Sequence, residues 1–123
     1  SNCKKVLDYK IIIELVDIDN IDEIKRLGDI LLSKLKSGIG VLFSKTSDKP
    51  SAVIILTKDL IDLGLNAGSF AKEIGSYMHG GGGGKPHLAT AGGKDKDKVE
   101  QAIEKTFNMI KKKLNSIEEE NAV

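Results

Sequence analysis

The apolar positions of this chain recur with two different periods, and the switches between periods mark its elements. Tyr9 to Val16 (YKIIIELV) is dense in β-branched residues and bounded by Asp8 and Asp17, the make-up of a strand. Ile21, Ile24, Leu27, Leu31 and Leu35 then recur at helical spacing. Asn20 with Glu23 reads as a capping box at the start of that helix, and Gly38 as the glycine that ends it. Two apolar runs, Ile39 to Ser44 and Ala52 to Thr57, flank a polar loop and predict an antiparallel hairpin. The second run is almost wholly apolar and is therefore expected at the centre of a sheet. Lys58 to Asn66 shows no clear period.

Asn66 is placed to cap a helix from about Ala67 to His79, with Phe70, Ile74, Tyr77 and Met78 as its apolar face. Pro86 to Ala91 predicts a short strand and Gly92-Gly93 a turn. Asp97-x-x-Glu100 reads as a second capping box. It opens a last helix that carries Val99, Ile103, Phe107, Ile110, Leu114 and Ile117 on one face, with a fraying acidic tail beyond. The order β-α-β-β-α-(β)-α describes an α/β or α+β fold, a mixed sheet of about four strands flanked by three helices. The first strand, the helix and the second strand form a crossover unit, expected to be right-handed.

A length of 123 residues fits one domain, 1–123, with Ser1-Asn2 read as a cloning remnant. With 40% apolar and 30% charged residues the composition is that of a soluble globular chain, and with no Trp and few other aromatics the core must be aliphatic. No apolar run is long enough to cross a bilayer, and no leader-like segment opens the chain. Cys3 is the only cysteine, so no disulfide forms within the chain, which fits a reducing compartment. The net charge of +1 does not point to nucleic acid, but its distribution does more. Between Gly80 and Lys113 eight lysines face four acids, concentrating positive charge after a run of five glycines, Gly80 to Gly84.

That run fails the common phosphate motifs. A P-loop would need Gly where His79 stands and Ser or Thr where Pro86 stands. A dinucleotide fingerprint would need glycine at Lys85 or His87, and a preceding strand instead of a helix. His79 and His87 have no cysteine or acidic partner at a metal-ligand spacing, and no Ser or Cys nucleophile has a recognisable base. Two readings stay open. In the structural one, glycine lets the backbone turn tightly off a helix and pack against a sheet, so that Gly83→Val disrupts the backbone. In the functional one, successive amides of Gly80, Gly81, Gly82, Gly83 and Gly84 cradle an anion, with Lys85, His87, Lys94, Lys96 and Lys98 adding charge-assisted contacts. The scarcity of aromatics argues against a base-stacking platform and favours the backbone of a folded RNA.

Gly82-Gly83-Gly84-Lys85-Pro86, then Ala89, then Gly92-Gly93, together with the upstream SAVIILTKDLIDLGLNAGSF, resemble the DHH-associated domain that closes alanyl-tRNA synthetases. His79 stands where that family usually has its first glycine, and Gly81 where a basic residue is common. The resemblance implies a cytoplasmic, non-catalytic accessory domain that helps hold the tRNA(Ala) elbow and works with the other domains of its parent enzyme. It also implies a capacity for homodimerisation, and places ATP, Mg and Zn in the parent and no cofactor in this segment. The alternatives are the substrate-gripping domain of a DHH-type phosphoesterase or exonuclease, and a pure dimerisation module.

Overall fold

The computed structural model describes residues 3–121; Ser1 and Asn2, read as a cloning remnant, lie outside the described residues. Its centre is one mixed six-stranded sheet in the order β1-β2-β3-β4-β6-β5. The strands are β1 (Cys3–Val6), β2 (Tyr9–Leu15), β3 (Gly38–Ser44), β4 (Ser51–Leu56), β5 (Gly81–Gly84) and β6 (Leu88–Gly92). The helices are α1 (Ile21–Lys34), α2 (Lys58–Asp62), α3 (Ala67–Tyr77) and α4 (Val99–Asn121), the last preceded by a 3-10 turn over Lys96–Lys98. β2 and β3 pair in parallel across the α1 crossover, and the other neighbours are antiparallel.

Strand alternation sorts the apolar side chains onto two faces. Ile11, Ile13, Val41, Phe43, Ile54 and Leu56 turn to one, where α3 and α4 supply Phe70, Ile74, Ile110 and Leu114. Leu42, Val53 and Ile55 turn to the other, covered by Ile24 and Leu31 of α1 and by Leu35 just after it. β4 lies between β3 and β6 with Ala52 to Leu56 fully buried, as its unbroken apolar run requires.

The sheet has six strands where periodicity indicates about four. The two extra ones are its edges, β1 and β5, and neither carries alternation: β1 is largely exposed and β5 is all glycine. Lys58–Asp62 is a short helix. Its Asp59 carboxylate accepts hydrogen bonds from the Ser37 and Thr57 hydroxyls and so ties α2 to the start of β3. Asn20 caps α1 as expected, accepting from the amides of Asp22 and Glu23 at 2.9 and 3.2 Å. Gly38 does not end that helix, which closes at Lys34 with Leu35 as its cap. A Cβ at Gly38 would stand 2.1 Å from the Lys10 carbonyl oxygen, so glycine is needed there for the approach of β2.

Asn66 caps α3, accepting from the Ser69 amide at 3.2 Å, but the helix stops at Tyr77, before His79. The predicted Asp97–Glu100 box is replaced by Asp95, which accepts from the Asp97 amide at 3.0 Å and caps the 3-10 turn. α4 stays helical through the acidic tail to Asn121.

Candidate functional site

The glycine run is an edge strand. β5 pairs with β6 in the register Gly81↔Gly92, Gly82↔Ala91, Gly83↔Thr90 and Gly84↔Ala89. An extended strand sends successive amides to opposite sides, so the concave cradle of consecutive N–H groups expected from the sequence does not form. Lys85 N–H bonds the Leu88 carbonyl at 3.0 Å across the turn, which makes Lys85 and Leu88 a hydrogen-bonded pair. The ladder alternates from there. Gly83 and Gly81 exchange bonds with β6, and the main-chain polar groups of Gly82 and Gly84 point to the open edge.

The two faces of β5 are unlike. On one, α3 lies almost on the strand: a Cβ at Gly82 would come within 2.5 Å of the Ala71 carbonyl oxygen, and one at Gly75 within 2.3 Å of the Gly81 oxygen. Glycine and alanine on both elements are what allow this approach. On the other face, a Cβ at Gly81, Gly83 or Gly92 would meet nothing within 4 Å. Register places these three with Thr90 on the side of Val53, the side that α1 covers. α1, however, packs on β3 and β4 and on the near side of β6. Beyond it the sheet is a bare backbone shelf. The expectation that Gly83→Val disrupts the backbone is corrected here, because Gly83 has open space above it and no left-handed φ.

A depression of about 340 Å³ opens on this shelf, floored by Gly83, Gly84 and Thr90 and rimmed by Lys85 and His87 of the β5–β6 turn and by Lys25 and Asp29 of α1. The turn is held firmly. The Pro86 carbonyl accepts the Ala67 amide at 2.9 Å, and the His87 carbonyl accepts the Leu56 amide at 3.0 Å. Lys85 and His87 are therefore presented, exposed, from a fixed backbone.

The structure thus gathers Gly83, Gly84, Lys85 and His87 at one end of the shelf. Gly80 precedes β5 at the other end, close to Gly92 and Gly93. Lys94 is exposed just after β6, with its amide bonded to the Met78 carbonyl at 2.9 Å. Lys96 and Lys98 sit farther on, in the 3-10 turn that leads to α4, and line no part of the depression. Sequence reasoning missed Lys25, Asp29 and Thr90. Lys25 and Asp29 look like ordinary solvent-facing positions of an amphipathic helix, and only tertiary packing lays that helix beside the glycines. Thr90 carries a faint signal, as the one polar residue within β6 (LATAG).

Among the described residues no group of His, Cys, Asp and Glu is arranged to hold a metal, and no helix is long and apolar enough to cross a membrane. The floor is backbone, and the open rim carries the nitrogens of Lys25, Lys85 and His87 together with the Asp29 carboxylate.

A family model described as "DHHA1 domain" matches residues 8–112. Among curated relatives, an alanine–tRNA ligase of Natranaerobius thermophilus is 37% identical over 94% of this chain and 13% of its own length. One of Alkaliphilus oremlandii is 35% identical over 85% of this chain and 12% of its own. This chain therefore spans about an eighth of the length of those relatives. Among solved structures, the C-Ala domain from Aquifex aeolicus alanyl-tRNA synthetase superposes with a TM-score of 0.78 at 28% identity, covering 91% of this chain and 96% of that one.

Proposed function

This chain belongs to the DHHA1 domain family, and from that premise we propose that it is a tRNA-gripping accessory domain of an alanine–tRNA ligase. The reading continues the likeness to the C-Ala domain and assigns activation of alanine, with its ATP and magnesium, and editing, with its zinc, to other parts of the ligase. The observation that carries it is the bare shelf of Gly81, Gly83 and Gly92, which no packing requirement explains, beside the Lys25, Lys85 and His87 nitrogens. A sugar-phosphate chain can lie directly on such a surface. Its phosphate oxygens would accept hydrogen bonds from the ammonium groups and from the outward amides of Gly82 and Gly84. Asp29 on the rim works against non-specific anion binding and gives a 2′-hydroxyl an acceptor.

The test is equilibrium binding of a tRNA(Ala) transcript to the 123-residue chain. Lys85→Glu is expected to weaken binding by about 10-fold, since it replaces one charge-assisted contact with a repulsion. Its circular dichroism and melting should not change, because Lys85 is exposed at a turn. Unaltered affinity for Lys85→Glu would sink the reading.

A further inference from the structure

We propose that His79 is a phosphate-contacting residue at the end of the glycine shelf, held there by a helix cap that normally requires glycine; the inference rests on the RNA-binding reading above. Past the Met78 cap of α3, Gly80 N–H bonds the Gly75 carbonyl at 2.8 Å and His79 N–H the Ser76 carbonyl at 3.2 Å. This paired cap places the residue before Gly80 in the left-handed region, where glycine is the usual occupant. His79 has φ 61°. Among the described residues only one other non-glycine has positive φ, Leu7 at 59°, in the tight turn between β1 and β2. A side chain in this conformation is strained by its Cβ against the following carbonyl oxygen.

Among the described residues no hydrogen bond to the imidazole repays that strain. The His79 side chain is 62% exposed, and its Nδ1 lies 4.0 Å from the Asp95 carboxylate, beyond hydrogen-bond reach. The other oxygen of that carboxylate accepts the Asp97 amide. The imidazole keeps its hydrogen-bonding capacity for something outside the protein. Its place is informative: Gly80 and Gly81 follow it directly into β5, and the Lys94 amide is bonded to the carbonyl of the residue before it. His79 and Lys94 thus mark the end of the shelf away from Lys85 and His87. A polyanion lying along β5 meets nitrogen donors at both ends.

The experiment sets stability against binding in the 123-residue chain. His79→Gly is expected to raise Tm by about 2–4 °C, because the strain is relieved. It should at the same time weaken binding of a tRNA(Ala) transcript by about 3–10-fold. His79→Asn tolerates the left-handed conformation and should show the same loss of affinity with a smaller change in Tm. If both variants bind the transcript as the parent chain does while Lys85→Glu does not, the role of His79 is overturned and the RNA reading stands. If the parent chain itself fails to bind, both are overturned. A fall in Tm for His79→Gly would show an imidazole that supports the fold, and would also overturn the proposal.

Discussion

A Cβ placed on Gly82 would lie 2.5 Å from the Ala71 carbonyl oxygen, while one placed on Gly81 would meet nothing within 4 Å. The two neighbours therefore predict opposite experiments. Gly82→Ala forces α3 off the strand and should cost about 1–3 kcal/mol, measurable by urea unfolding. Gly81→Arg should leave stability within about 0.5 kcal/mol of the parent. It adds a cation to the shelf, so tRNA affinity should rise by about 3–10-fold; a loss of affinity would mean that the shelf is not where RNA lies. Gly83→Val is expected to fold normally but to weaken binding, by standing a branched side chain where the backbone must be approached. Five identical letters in the sequence conceal this alternation. The glycine run was legible as a place where backbone matters, but which glycines meet α3 and which face open space follows from the strand's period of two and from a helix lying on one face.

The elements differ in how plainly they were written. α1 was clear because it has a full helical period and an Asn20 cap, and β4 because its apolar run is unbroken. β1 and β5 were not, because edge strands need no buried alternation. Their pairing comes from the neighbour, not from their own side chains. α2 is held at its first turn by Asp59. Partial burial pushes the Asp59 carboxyl up, but the hydrogen bonds from Ser37, Thr57 and the Leu60 amide prevail and leave it below its ordinary 3.8. A carboxylate with a lowered folded pKa contributes stability above its unfolded value and loses it as pH falls through the folded one. Asp59→Asn should therefore destabilise the chain by about 1 kcal/mol at neutral pH. The difference from the parent should shrink once the pH drops below the ordinary 3.8, as thermal melts across that range would show. In α4, the fully buried Thr106 hydroxyl has no hydrogen-bond partner among the described residues. Thr106→Val removes an unsatisfied polar atom and should stabilise by about 1 kcal/mol in urea unfolding.

At the scale of the whole molecule, the shelf gathers residues from α1, β5, β6 and the turn between them, so under the proposed reading its cations would act on one ligand together. Binding of tRNA should accordingly fall with salt, with a log–log slope of about −2 to −4 for three to five phosphate contacts. A slope near zero would point to a partner other than a polyanion. Local order settled much of this protein in advance. Apolar periods, caps and turn residues specify α1, β2, β3, β4 and α3 because those signals act between residues near in the chain, and the glycine motif carried the family. The sheet order was beyond such signals, since it depends on which strands find each other after the chain has crossed over. The site depended on it too. Lys25 and Gly83 are far apart in sequence and share a rim because α1 covers only part of the sheet, and coverage is a property of packed layers that no local pattern encodes.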